Sequence, residues 1–128
     1  MDAKHIPDGF VPGRHLIDAY GNGGFRFAEM SHRGSILALP SGVYAWPVEA
    51  VAGLTLESLA QVLREGPALE LLLLGTGVDV AAIPDIVRQR FRDRRIGLDV
   101  MQTGAVARTY NILLAENRKV GAALVAVA

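Results

Sequence analysis

Two glycine-bearing junctions are the stretches of this sequence whose residue types could hold a ligand. Gly75-Thr76-Gly77 directly follows the apolar run from Ala68 to Leu74. If that run is a strand, the glycines sit at its end, where ligands gather on open α/β sheets and can approach bare backbone N–H groups. The same three residues also make an ordinary tight turn. They lack the spacing of a dinucleotide fingerprint and the Lys-Ser/Thr ending of a P-loop. Met101-Gln102-Thr103-Gly104 is the matching strand-to-helix junction. A helix start exposes unpaired N–H groups and a positive dipole end, which suit an anion, although Thr103 there also reads as a plain cap. Farther along the same helix, Thr109-Tyr110-Asn111 joins three mediocre helix formers, so tertiary contacts must decide their identity. A buried Asn111 amide needs partners, either as a structural plug or as a ligand contact. Gly75, Thr76, Gly77, Thr103, Thr109, Tyr110 and Asn111 thus form a candidate ligand-binding set, provided the two junctions share one rim of the sheet.

No catalytic constellation accompanies them. His5, His15 and His32 are far apart and read as surface histidines, with no metal spacing. Asp79, Asp85, Asp93 and Asp99 have no spacing that argues paired acid–base work. No Gly-x-Ser-x-Gly elbow occurs, so no hydrolase nucleophile can be nominated. The expectation is therefore a protein that is not an enzyme and carries no cofactor and no metal. Trp46, the single tryptophan, reads as a packing anchor, with a protein-binding hot spot as the alternative.

The composition narrows the classes further. The chain has 128 residues, which suits one domain. Hydrophobic residues make up 51% of it and aromatics only 6%, so aliphatic side chains must fill the core. There is no cysteine, which removes disulfides and thiolate chemistry and suits a reducing compartment. Thirteen basic and thirteen acidic residues cancel, which argues against a nucleic-acid partner. The cluster Arg88, Arg90, Arg92, Arg94, Arg95 reads as a solvated helix face and end, where cations suit the dipole. Met1 to Arg14 has neither an apolar signal core nor a transit-peptide pattern. The longest apolar run considered, Leu71 to Leu74, is too short to span a bilayer. A cytoplasmic protein is expected.

The elements that must position these residues can be read from periodicity. Residues 1–13 read as a loose N-terminal arm, and 14–128 as a single α/β domain. His15 to Tyr20 and Phe25 to Glu29 read as a hairpin around Gly21-Asn22-Gly23-Gly24. Ser31 to Gly34 reads as a second turn, Ser35 to Leu39 as a strand, and Val43 to Val48 as a strand that Pro47 keeps off the sheet centre. The period then changes. Helices are expected at about 56–64, 84–94 and 104–117, and strands at 68–74, 98–101 and 120–127. The order β-β-β(-β)-α-β-α-β-α-β predicts a mixed sheet with an N-terminal antiparallel meander and three covering helices.

These residues also resemble, in order and spacing, a known set. Ile17-Asp18-x-Tyr20, Gly24-Phe25, Pro40, Trp46, Gly75-Thr76-Gly77, Thr103, Thr109-Tyr110-Asn111, Glu116-x-Arg118 and Gly121-Ala122-Ala123-Leu124 are similar to the pattern of a small α/β domain family. That family is largely uncharacterised and includes mitochondrial respiratory complex I assembly factor 3. The resemblance covers about residue 14 to the C-terminus. It implies a compact mixed-sheet domain with no established enzyme activity. It also implies work near the inner membrane through binding of assembly factors and complex subunits, or, in some bacterial relatives, a setting beside protein export. The sequence departs from the family at Gln102, where relatives often carry an acid, and near Ala107, where they often carry cysteine. The missing transit pattern fits a bacterial member.

Three functions therefore compete. A protein-binding assembly factor is expected first, with membrane-complex subunits as partners, a location cytoplasmic or peripheral to the inner membrane, and an exposed apolar patch on its surface. A small-ligand or anion-binding domain using the Gly75–Gly77 and Thr103–Asn111 crevice is the alternative. An enzyme of unrecognised chemistry comes last. A homodimer through edge strands or helices is compatible with the pattern.

Overall fold

The computed structural model describes residues 9–128. Among the described residues nine strands and three α-helices follow one another as β1 (Phe10–Pro12), β2 (Ala19–Gly21), β3 (Gly24–Phe27), β4 (Met30–Arg33), β5 (Ser35–Leu39), β6 (Gly42–Trp46), α1 (Ala60–Arg64), β7 (Leu71–Gly75), α2 (Asp85–Asp93), β8 (Gly97–Met101), α3 (Thr103–Ala115) and β9 (Val120–Leu124). Short 3-10 turns at Val51–Gly53, Glu57–Leu59 and Gly66–Ala68 complete the pattern. Six strands form one mixed sheet in the order β1-β6-β5-β9-β7-β8. The pairs β9·β7 and β7·β8 are parallel, while β1·β6, β6·β5 and β5·β9 are antiparallel. The expected mixed α/β sheet with three helices is present.

The core has two layers because strand side chains alternate between faces. Leu37, Leu39, Leu72, Leu74 and Ala123 point to one face, where Leu59 and Val62 beside and within α1 and Val87 and Phe91 of α2 cover them. Ile36, Ala38, Leu73, Ala122 and Leu124 point to the other, covered by Val106, Ala107 and Tyr110 of α3 and by Phe25 and Phe27 of β3. The central strands β5, β7 and β9 are thus buried on both faces, which is why their sequences are nearly unbroken apolar runs.

The N-terminal half differs from the sequence expectation in four ways. First, β2, β3 and β4 form a separate three-stranded antiparallel sheet and do not extend the main one. Second, Met30–Arg33 is a strand where a turn was expected, and the reversal lies instead at Ala28 and Glu29 with φ of 50° and 60°. Neither residue type signals a turn with positive φ, so the hairpin was hidden. Third, β6 is not an edge: β1 pairs along it on one side and β5 on the other, and Pro47 lies just past its last paired residue, Trp46. Fourth, part of the expected arm is ordered, since Phe10–Pro12 is that outer strand. Residues 1–8 of the arm lie outside the described residues, His5 among them.

The helices match expectation more closely. Thr55 and Ser58 cap each other ahead of α1: the Thr55 N–H donates to Ser58 Oγ at 2.9 Å and the Ser58 N–H to Thr55 Oγ1 at 3.1 Å. The arginine cluster lies on α2 and just after it, with Arg88, Arg92, Arg94 and Arg95 exposed. No helix among the described residues is long and apolar enough to cross a membrane.

Candidate functional site

The parallel register β9·β7·β8 carries the ends of β7 and β8 to the same rim, so the two glycine-bearing junctions are neighbours. They are joined directly. The Thr76 N–H donates to the Met101 carbonyl at 2.9 Å, and the Thr103 N–H to the Gly77 carbonyl at 2.8 Å. The Thr103 hydroxyl accepts from the Gly77 N–H at 3.0 Å and donates to the Val125 carbonyl at 2.7 Å. The Val125 N–H in turn donates to the Gly75 carbonyl at 3.0 Å. One fully buried threonine therefore stitches three strand ends together.

This geometry explains the residue types without a ligand. A Cβ on Gly75 would come within 3.0 Å of Thr103 Cα and Oγ1, so glycine is needed for the junctions to close. Gly77 has φ of 115°, a region side chains avoid. Thr103 is not the helix cap expected from the sequence. It is the first residue of α3 behind Gln102, and its hydroxyl is already committed across the sheet. Thr76 also turns inward: its hydroxyl donates to the Asp79 carbonyl at 2.7 Å and accepts from the Ala81 N–H at 3.1 Å.

The remaining candidates are structural in the same sense. Asn111 clamps one residue from both sides, its Oδ1 accepting from the Ile17 N–H and its Nδ2 donating to the Ile17 carbonyl, each at 2.8 Å. Those bonds dock the segment ahead of β2 onto α3. Tyr110 is 1% exposed, and burial pushes its phenol up to about 12. The Thr109 hydroxyl contacts Met101 Sδ at 4.0 Å. Trp46 is 4% exposed, with its indole N–H donating to the Ser58 carbonyl at 2.7 Å. It is placed as a packing anchor and presents no face to a partner. The side-chain polar groups of Thr76, Thr103 and Asn111 are thus engaged by backbone groups of the same chain. Among the described residues no group of histidine, aspartate and glutamate side chains could hold a metal ion.

What the rim does offer is a shallow cleft beside the closed junction. It has a volume of about 250 Å³ and is lined by Tyr20, Gly77, Val78, Gln102, Gly104, Arg108 and Val127. Gly77 alone of the candidate ligand set borders it. A side chain at Gly104 would collide with the Tyr20 hydroxyl, so this glycine seats the tyrosine ring on the start of α3. Val78 also lines the cleft, and it and Val80, two residues on in the loop after β7, stand 68% and 65% exposed. The two Thr76 bonds to Asp79 and Ala81 hold the base of that loop. Sequence reasoning found Thr76 but missed these valines, because an apolar residue in a short loop has no periodicity to show which way it points.

Comparison with known proteins places this arrangement in a family. A family model described as a protein of unknown function (DUF498/DUF598) matches residues 17–125. The chain is 35% identical over 108 residues to an uncharacterised protein of Rhodobacter capsulatus, covering 84% of this chain and 82% of that protein. It is 32% identical over 109 residues to the Mus musculus NADH dehydrogenase (ubiquinone) 1 alpha subcomplex assembly factor 3, covering 85% of this chain but only 59% of that longer protein. A crystal structure of a Bartonella henselae protein, described as an outer membrane protein, superposes with a TM-score of 0.88 at 51% identity, covering 91% of this chain and 98% of that one. A match that runs from Ile17 to Val125, taking in the closed junction and the Asn111 clamp, shows that this chain belongs to the DUF498/DUF598 family.

Proposed function

We propose that this chain is a protein-binding factor that helps assemble an inner-membrane respiratory complex, acting by contact and not by catalysis. The observation that carries the reading is the pair of valines held out on a tethered loop. Exposed apolar residues on a soluble face lose little by staying in water singly, but beside a cleft they mark a surface suited to a partner. Val78 and Tyr20 flank such a cleft, and Arg108 stands on its rim. A partner's apolar side chain fits between Tyr20 and Val78, with a carboxylate beside it meeting Arg108. Because Thr76 already orders the base of the loop, binding costs less conformational entropy than it would for a free loop.

The assembly role is supported by the name of the mouse relative, which is carried over here as part of the proposal. The chain covers 59% of that protein, so partners that need the rest of its length fall outside the reading. Association with the membrane would be peripheral and through a protein subunit.

The test is affinity purification of the tagged chain from detergent-solubilised native membranes, with co-purifying proteins identified by mass spectrometry. Respiratory complex subunits or their assembly factors are expected. A Val78→Asp/Val80→Asp double variant, checked for folding by circular dichroism, should reduce their recovery by about tenfold or more, since two apolar contacts of ~1 kcal/mol each are lost and two charges are desolvated. Recovery of no such subunit above background, or equal recovery by the variant, overturns the proposal.

A further inference from the structure

A second concavity runs along β2, β3 and β4 and shares Tyr20 with the cleft beside the closed junction. Its volume is about 660 Å³, and its lining includes Gly21, Gly24, Arg26, Ser31 and Arg33. Strand register says which side chains share its floor. Ala19 pairs with Arg26 and Arg26 with Ser31; two residues along, Gly21 pairs with Gly24 and Gly24 with Arg33. Residues two apart on a strand face the same way, so both rows lie on one face. The intervening residues Phe25 and Phe27 point the other way, into the core. The outer face therefore consists of four small residues and two arginines, with no acid in either row.

We propose that this face is a docking site for an extended acidic segment of a protein partner, with Arg26 and Arg33 holding alternate carboxylates. Directly opposed residues and their diagonal neighbours set the spacing. Arg26 faces Ser31, and Arg33 is two residues on, so the two arginines are diagonal, about 7–8 Å apart. Side chains at i and i+2 of an extended peptide are about 6.5–7 Å apart. An Asp/Glu-x-Asp/Glu stretch thus matches the arginine pair, and the small-residue floor leaves room for its backbone to lie flat.

The face is built in advance. The Arg26 guanidinium donates from Nη1 to Ser31 Oγ at 3.2 Å, which holds it over the sheet. The Gly23 N–H donates to the Val127 carbonyl at 2.8 Å, and the Gly34 N–H to the Gly23 carbonyl at 2.7 Å, so the open end of the β3–β4 hairpin is tied. A side chain on Gly24 would run into the His32 carbonyl, so the floor cannot be filled by substitution there. Among the described residues the one ion pair is Arg118 with Glu70, and neither Arg26 nor Arg33 has a carboxylate partner. Two unpaired arginines at this spacing repel each other, and a bound diacid relieves that repulsion while gaining charge-assisted hydrogen bonds. The zero formal charge of the whole chain makes such a local patch selective for a short acidic segment over a long polyanion such as nucleic acid. This inference rests on the protein-binding reading above and adds the chemistry of a second contact.

Fluorescence anisotropy tests it with a labelled short peptide of alternating glutamate and threonine, and with its glutamine counterpart. At low salt the glutamate peptide should bind at least about tenfold more tightly, and added salt should weaken it. Arg26→Glu/Arg33→Glu should abolish the preference, Arg26→Gln/Arg33→Gln should do so without adding charge, and Arg26→Lys/Arg33→Lys should retain part of it. Equal binding of the two peptides, or binding indifferent to the glutamine substitutions, overturns the inference. So does inorganic pyrophosphate displacing the peptide at lower concentration than unlabelled peptide, which would make the face a small-anion site. Val78→Asp/Val80→Asp is read separately, in the membrane pulldown. If the peptide fails while that valine variant still loses its membrane partners, the acidic-segment inference falls and the assembly reading stands.

Discussion

At the scale of single residues, the polar side chains of this family pattern work on the backbone of the same molecule. Asn111 satisfies both the N–H and the carbonyl of Ile17, at 2.8 Å each. Asn111→Ala removes both bonds and leaves two half-buried backbone groups to find water, at a cost of about 1–3 kcal/mol. Urea denaturation should show this as a lower midpoint with an unchanged slope; an unshifted midpoint would sink the clamp assignment. Tyr110 gives a pH-dependent counterpart. Burial pushes its phenol up to about 12 from the usual 10.0. The folded pKa is raised, so the contribution to stability is intact below pH 10 and is lost as pH climbs toward 12, because the unfolded chain ionises first. Tyr110→Phe should therefore lose less stability than the parent across that alkaline window, measured by denaturant titration at each pH. Parallel curves would mean that the phenol is not held neutral by the fold.

At the scale of elements, the hairpin joining β3 and β4 is the one with the poorest local chemistry. Ala28 and Glu29 both adopt positive φ, of 50° and 60°, in a two-residue connection that favours Asn-Gly. The preceding hairpin has that pair, Asn22 at φ 53° and Gly23 at φ 82°. The sequence revealed the first hairpin and concealed the second for this reason. Phe27 and Met30 are held in register by the rest of the small sheet, and tertiary packing forces two ordinary residues into the left-handed region. Ala28→Asn with Glu29→Gly should relieve the strain and raise stability by about 1 kcal/mol, read as a higher melting temperature. A loss of stability would show that the Ala28 and Glu29 side chains make contacts worth more than the strain. Elsewhere the junction residues show the same dependence on distant partners. Thr103 reads as a cap from its neighbours alone, and only the approach of Gly77 and Val125 turns its hydroxyl across the sheet.

At the scale of the whole molecule, the main sheet ends in β8, which pairs with β7 alone among the described residues. The Gly97 N–H and the Met101 carbonyl bond toward β7 and its flanks. The alternation of a strand then turns the backbone groups of Leu98 and Val100 outward. An antiparallel copy pairing there would set Asp99 opposite Asp99, and like charges directly opposed disfavour pairing. Asp99→Val should therefore increase self-association at high concentration in analytical ultracentrifugation. An unchanged sedimentation profile would assign control of the edge to something other than this charge.

By itself the sequence determined the single α/β domain, the alternation of β7, α2, β8, α3 and β9, the apolar run of β7 and the exclusion of thiol chemistry. These follow from composition and from hydrophobic period, which each segment carries within a few residues. The tertiary structure decided the rest: the separate three-stranded sheet, the interior place of β6, the burial of Trp46, the closure of the two glycine junctions on each other, and the exposure of Val78 and Val80. Those outcomes depend on which backbone donors and apolar faces meet across long stretches of chain. No local pattern encodes whether a threonine hydroxyl will find a carbonyl more than twenty residues away, as Thr103 finds Val125.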